Sequence, residues 1–441
     1  MTATSSRAAR GSGFWSSTRT RHMIPIAFVT YSLAYLDRSN YSIGSAGGMA
    51  DDLHMSSGMD ALVAASFFLG YFFFQIPGTI YAERRSARRL VAYSTIAWGL
   101  LAAVQGLLHS PTLLVAVRFL LGVVEGAVMP SMVMLLGRWF TQRERGRANT
   151  FLILGNPVTV MWLSAVSGLL IEATSWREMF IIEGVPAVLW GLLCLKMIKD
   201  HPSEAAWLPE HERAELDAEL AKEPTVPVAR TAEYRKVLSS RPVLILAAQY
   251  FCWSIGVYGF VFWLPSIIKE ASGQGIGATG LLSAVPYLFA SIAMLVNSQL
   301  SDRSGRRRVA IWPWLVVAAV TLYGSYLAHS SFAMSFVLLI VAGLCLYAPY
   351  GPYFALVADQ APKNVSGAAV ALVNSFGALG SFVGTYLVGW IRGSSMGDMG
   401  AFAVMAVGTL VSAGLMAFVR RPKELGTPTA PAAKVGEEHA A

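Results

Sequence analysis

Charge is scarce in this chain. Asp, Glu, Lys and Arg make up 14% of its 441 residues, and with 55% apolar residues and a mean hydropathy of +0.52 there is too little polar surface for a water-soluble globule of that length. Cysteine is nearly missing: Cys194, Cys252 and Cys345 are odd in number, have no disulfide or metal spacing and fall inside apolar runs, where they read as packing residues. The seven histidines lie outside the centres of those runs, and HExxH, Walker A and thiol-based arrangements do not occur. Metal catalysis, a histidine relay and enzyme chemistry in general therefore lose their support, and neither a metal site nor a cofactor is expected. A GxGxxG match at Gly275 to Gly280 has no strand before it and no βαβ unit around it, so it reads as a flexible loop. Nor is a cleavable leader expected: Met1 to His22 is polar, with four arginines, and the apolar run behind it is long enough to span a bilayer.

What the chain does have is long apolar runs. A helix needs roughly 20 residues to cross about 30 Å of hydrocarbon, and twelve runs approach or exceed that: Met23–Ser45, Ala61–Ala82, Leu90–Leu108, Thr112–Leu136, Asn149–Ile171, Met179–Leu195, Val243–Ile268, Leu281–Leu300, Val309–Leu327, Phe332–Ala358, Gly367–Ile391 and Ala401–Val419. Glycine (40 residues) and proline (20) are frequent within them, as membrane helices tolerate. The basic residues fall on alternate connections. Arg84, Arg85, Arg88 and Arg89, then Arg138 to Arg147, then Arg303 to Arg308 and Lys363 lie on one side, against Arg177, Lys269 and Arg392 on the other. By the positive-inside rule both termini are cytoplasmic in a multi-pass cell (inner) membrane protein of bacterial type. The net charge of +8 is then a topology signal next to anionic lipid, and no nucleic-acid partner is expected.

The chain also repeats itself. The acidic-basic loop at Glu83 to Arg89 returns 219 residues later at Asp302 to Arg308, and Gly146 of Arg145-Gly146-Arg147-Ala148 is matched 221 residues later by Gly367 of Val365-Ser366-Gly367-Ala368. Two loops at nearly one period indicate duplicated halves. The expected organisation is all-α: a cytoplasmic tail at 1–22, a six-helix half at 23–199, a polar central loop at 200–242, a second six-helix half at 243–420 and a tail at 421–441. Within the loop, Pro209 to Lys222 has helix-forming composition and the rest reads as linker.

Four charges sit at bilayer depth in the first half, where each costs roughly 2.5–3.5 kcal/mol on insertion scales. Arg118 and Glu125 are seven residues apart, two turns, so they share a face of the fourth helix. Asp37 and Arg38 are adjacent and point about 100° apart, so each needs a partner on another helix. The expected arrangement pairs Asp37 with Arg118 and Arg38 with Glu125. Such pairs serve either as static interhelical glue or as a transport site in which a carboxylate competes for an arginine while a proton neutralises an acid. The second half shows only Asp359, near a helix end, and offers hydroxyls and amides instead: Gln249, Tyr250, Trp253, Tyr258, Tyr287, Tyr347, Tyr350, Tyr353, Asn374 and Ser375. Tyr35, Tyr71, Gln75 and Asn156 could complete the first-half side, giving a site for one carboxylate followed by hydroxyls. Trp176, Arg177, Glu178 and Glu183 read as a capped turn with a local ion pair.

The two halves with acid and paired arginines at Glu83, Arg84 and Arg88 and at Asp302, Arg303 and Arg307 resemble the major facilitator superfamily. Within it, Tyr35-Leu36-Asp37-Arg38-Ser39-Asn40, Arg118 to Glu125, Trp139-Phe140 before Glu144 to Ala148, Met179 to Gly184, Tyr258 to Pro265 and Asn374 to Gly380 resemble the anion:cation symporter family. Phe72 to Gly78, Tyr81 to Ser86 and Phe151 to Pro157 are similar to its sugar-acid carriers, a branch that includes 2-ketogluconate transporters. The resemblance implies the twelve-helix major facilitator fold, gating roles for the two loops, proton coupling at Asp37 and Glu125, and substrate contact at Arg38 and Arg118. It also puts Tyr71, Asn156 and Asn374 ahead of Tyr35, Gln249 and Tyr353 as further contacts. Thr79, Glu83 and Ser86 depart from the superfamily's Gly, Asp and Gly, which implies a weaker first-half latch. The expected function is a monomeric proton-coupled symporter, the proton being the coupling ion, for a small sugar-acid monocarboxylate. Exchange of organic anions and carriage of a hexuronate, aldarate or aromatic acid are the alternatives.

Overall fold

The structure, a computed structural model, describes residues 14–222, 231–362 and 365–419; residues 1–13 of the first expected tail, the whole of the second, the linker stretch 223–230, Lys363 and Asn364 lie outside the described residues. Helices in chain order are α1 (Thr18–Gly44), α2 (Ser57–Arg84), α3 (Ala87–Gln105), α4 (Pro111–Glu125), α5 (Val128–Trp139), α6 (Gln142–Ala173), α7 (Trp176–Met197), α8 (Glu210–Ala221), α9 (Thr231–Leu238), α10 (Arg241–Ser272), α11 (Ile276–Ser304), α12 (Trp312–Leu327), α13 (Phe332–Tyr347), α14 (Tyr350–Asp359), α15 (Ser366–Arg392) and α16 (Gly397–Leu415). Among the described residues nine spans are long and apolar enough to cross a membrane, with α4–α5 and α13–α14 each counting as one broken span. The more polar α1 and α3 and the 16-residue α12 complete a set of twelve.

Helix starts follow local chemistry. Ser17, Ser56, Ser86, Ser110, Ser175 and Ser331 each cap a backbone N–H with the side chain, and Thr141 with Glu144 forms a capping box at α6. Gly273 and Gly305, both at φ 64°, close α10 and α11 in the left-handed conformation. Two sequence expectations change here. Gly275 to Gly280 is no loop: Gly275 is the N-cap and the rest is the first turn of α11. In the central loop α8 forms where expected, but Thr231–Leu238 is also helical.

The halves touch at the end of the bundle opposite the termini, the far end. There α6 crosses α11 with Gly168 against the Ile276 carbonyl and Gly280, a contact that any side chain on either glycine would block. Ala61 and Ser57 of α2 face Gly389 and Gly393 of α15, and Lys269 Nζ of α10 donates to the Ala46 carbonyl at 2.6 Å, just past α1.

At the terminal end each half has its own latch. In the second, Arg307 binds Asp302 at 3.1 Å and Asp359 at 2.7 Å; Arg303 is exposed, and so is Asp359, contrary to the burial expected of it. The first-half latch is built differently from expectation. Glu83 and Arg84 are exposed and outside it, whereas Asp200 from beyond α7 accepts from Ser86 Oγ at 2.5 Å and from the Arg88 backbone N–H at 3.0 Å, with Arg138 at 3.7 Å. The Arg88 guanidinium turns to the Leu195 carbonyl. Ser86 is both the cap of α3 and the hydroxyl that Asp200 grips, which is what serine gains over glycine at that position.

Candidate functional site

Small residues bring the charged helices together. Gly122 and Gly126 of the α4 segment lie on the Phe67 and Tyr71 carbonyls of α2, and Gly70 lies on Phe119, so the two backbones touch. That approach carries Arg118 and Glu125 inward to α1. Arg38 Nε donates to Glu125 Oε1 at 2.6 Å, and its Nη2 contacts the same oxygen. The guanidinium also stacks on the rings of Tyr35 at 4.7 Å and Tyr71 at 4.8 Å.

The other expected pair does not form. Arg118 Nη1 donates to the backbone carbonyl of Asp37 at 3.0 Å, its guanidinium lying over the Tyr41 ring at 4.8 Å. The Asp37 carboxylate is fully buried with neither oxygen hydrogen-bonded. Sharing a helix face fixes direction but not height along the neighbouring helix; Arg118 arrives level with the Asp37 backbone. A buried carboxyl without a partner is costly as an anion.

Between the halves, near the mid-height of the bundle, is a cavity of about 60 Å³. Tyr35, Arg38, Tyr71, Asn156 and Asn374 line it, together with Tyr31, Tyr250, Tyr258, Tyr350, Phe68, Phe354, Met129, Ile153, Gly377, Ala378 and Ser381. Among the described residues Arg38 is the one charged residue in that wall. Asn156 is 6% exposed and its Oδ1 has no partner. Three expected contact residues lie elsewhere. Arg118 sits behind the wall, Gln249 is fully buried with its amide unpartnered, and the Tyr353 hydroxyl donates to the Leu246 carbonyl at 2.6 Å. Gln75 ties the halves together, accepting from Ser375 Oγ at 3.1 Å.

Some participants went unread in the sequence. Tyr31 was legible: with Tyr35 and Arg38 it keeps the 4-then-3 spacing of one helical face. Asp60 is 5% exposed and accepts from Tyr41 at 2.6 Å and from Ser45 at 2.7 Å; its place near a run's start hid it. Arg177 does not pair locally but reaches Asp52 at 2.8 Å, and Glu183 is deeply buried rather than part of the capped turn.

A twelve-helix bundle with apolar spans and a cavity between two halves, with a single cation among the described residues of its wall, is the architecture of a multi-pass membrane transporter. The chain belongs to the Major Facilitator Superfamily, whose family model matches residues 27–279 and 267–437. It is 31% identical to a "Putative tartrate transporter" of Agrobacterium vitis over 93% of each chain, and 24% identical to the "Hexuronate transporter" of Bacillus subtilis over 90% of this chain and 94% of that one. The crystal structure of a D-xylose-proton symporter superposes with a TM-score of 0.74 at 13% identity, covering 92% of this chain and 99% of the other, a likeness of fold.

Proposed function

We propose that this transporter is a proton-coupled symporter of organic carboxylates, of the anion:cation symporter type, and that its substrate is a hydroxylated monocarboxylate of the aldonate or 2-ketogluconate kind. The observation that carries this reading is Arg38: the lone charged group in the cavity wall, already held by Glu125 from behind. An incoming carboxylate competes with Glu125 for the guanidinium, and a proton on Glu125 makes that exchange neutral overall. Asp37, buried without a partner, is the second acid available to a proton. The second half supplies hydroxyls and amides, from Tyr250, Tyr258, Tyr350 and Asn374, suited to the polyol part. Both termini are assigned to the cytoplasm from the arginine distribution, so the far-end contacts lie on the outer side of the cavity. At about 60 Å³ it is smaller than the roughly 150 Å³ that accommodates a benzene, so substrate entry requires the halves to part at the terminal end.

The names of relatives support a carboxylate, and two of them, the tartrate carrier above and a "Probable galactarate/D-glucarate transporter GudP" of Bacillus subtilis, point to dicarboxylates. With one cation in the wall, a second carboxylate would be desolvated uncompensated. A second reading, an aromatic carboxylate, is favoured by the six tyrosines and two phenylalanines of the wall. The test is competition for uptake of labelled gluconate in proteoliposomes. Gluconate and 2-ketogluconate are expected to compete strongly, and glucarate, tartrate and neutral sugars weakly. Equal competition by glucarate would withdraw the monocarboxylate assignment, and stronger competition by benzoate would favour the aromatic one.

A further inference from the structure

The first half buries more acid than base. Among the described residues Asp37, Asp60, Glu125 and Glu183 are buried carboxyls there, against Arg38 and Arg118. Arg38 is committed to Glu125, and Arg118 lies between the Asp37 carbonyl and the Tyr41 that bonds Asp60. Glu183, 5% exposed on α7, has no cation at all. Its Oε1 accepts from Ser167 Oγ of α6 at 2.5 Å and its Oε2 from Asn40 Nδ2 of α1 at 3.1 Å. Asn40 is one turn beyond Asp37, whose two oxygens are unpartnered, and Glu183 is among the charged groups within electrostatic reach of Asp37.

The rest of the surroundings are neutral. From α3 the wall against Gly184 is Gly99 and Ala103, and past the end of α1 Gly44 meets Phe180. Arg88 of α3 and His22 of α1 touch α7 only at its terminal end, on the Leu195 and Met197 carbonyls, and Arg177 turns away to Asp52. Two neutral donors do not offset a carboxylate's desolvation at bilayer depth as a cation would. Arg118, on the Asp37 carbonyl, is a cation within reach of Asp37 and not of Glu183, and two neighbouring buried carboxyls disfavour being charged together.

We propose that Glu183 is a further proton-exchanging carboxyl of this transporter, holding a proton in alternation with Asp37, to which the Asn40 side chain connects it. When Asp37 is charged, the Asn40 amide has a second carboxylate to which it can donate, and Glu183, losing that donor, keeps its proton. When Asp37 is protonated, Asn40 and Ser167 together can hold Glu183 as the anion. The inference deepens the proton-coupling reading above and rests on it for its role in transport.

The experiment is infrared difference spectroscopy of the full-length protein in lipid nanodiscs, stepping between mildly acidic and mildly alkaline buffer with no substrate present, on wild type, Glu183→Gln and Asp37→Asn. Glu183→Gln is expected to lose one titrating protonated-carboxyl band, and Asp37→Asn to shift the midpoint of that band. A Glu183→Gln spectrum superposable on wild type would overturn the proposal, as would an unmoved midpoint in Asp37→Asn. If Glu183→Gln fails to fold, Ser167→Ala keeps the carboxyl and removes a donor. A shifted Glu183 band then supports the proposal, and an unshifted one refutes it. In proteoliposomes, gluconate accumulation driven by a pH gradient is expected to fall at least tenfold in Glu183→Gln, and wild-type accumulation there would limit Glu183 to a structural role. Wild-type protein indifferent to the gradient would instead remove the proton-coupling reading, whatever the infrared spectra show.

Discussion

The two halves share a fold and a repeated loop but divide their chemistry unequally. The first buries six charged side chains between α1, α2, α4 and α7; the second contributes aromatic rings, amides and hydroxyls to the cavity, and its acid Asp359 is an exposed latch residue. The latches differ as well. The second-half latch closes on its own repeat acid, Asp302, while the first borrows Asp200 from beyond its sixth span and leaves Glu83 in solvent. Charge in one half and neutral hydrogen bonding in the other suggest a division of labour, in which the first half couples ion to substrate and the second recognises the rest of the molecule.

The largest effects should follow from breaking the charged half. Asp37→Asn and Glu125→Gln are each expected to abolish gluconate accumulation driven by a pH gradient in proteoliposomes. The second also leaves Arg38 with a neutral partner, and loss of one member of a buried pair costs about 3–5 kcal/mol. Full accumulation in both variants would make these charges static. Next, Arg38→Lys keeps the charge but loses the planar fork, so apparent substrate affinity should weaken by about 1–3 kcal/mol. Asn374→Ala, its counterpart from the neutral half, should weaken it by about 0.5–1.5 kcal/mol, the value of one uncharged hydrogen bond. Isothermal titration with gluconate checks both, and an Asn374 effect exceeding that of Arg38 would reverse the assigned division.

The smallest effect lies outside the membrane. Glu212 of α8 accepts from the Thr18 backbone at 3.0 Å and the Thr18 hydroxyl at 2.6 Å, tying the central loop to the start of α1. Burial alone would raise its pKa, but these donors outweigh burial and hold it below the usual carboxylate range. The depressed value means that the tie stabilises the folded state at neutral pH and is lost as pH falls through the carboxylate range and below. Hydrogen exchange at α8 should therefore quicken on acidification in wild type and be quick already at neutral pH in Glu212→Gln; protection unaffected by either change would show that the tie contributes nothing.

Much of this was readable before any coordinates. Apolar run length located the spans, and charges inside such runs singled out Asp37, Arg38, Arg118 and Glu125. Periodicity alone could not give the axial offset between helices, so the Arg118 to Asp37 contact was expected on the carboxylate and is found on the backbone. Gly126 and Ala348, where the α4–α5 and α13–α14 spans break, look no different from the many small residues that do not break a helix. Asp200 and Ser86 are 114 residues apart in the chain and share no local pattern, so the rebuilt latch was invisible. Gln249 and Tyr353 have the right chemistry for a polyol, but their helical phase turns them into the bundle.

The central claim is that proton and carboxylate meet at one charge balance in the first half. It is tested most directly by labelled gluconate uptake into wild-type proteoliposomes with the membrane potential clamped and the pH gradient imposed or collapsed by a protonophore. The account expects accumulation above equilibrium when the side from which uptake proceeds is acidic, and its loss on adding the protonophore. Uptake to the same level with and without the gradient would contradict it.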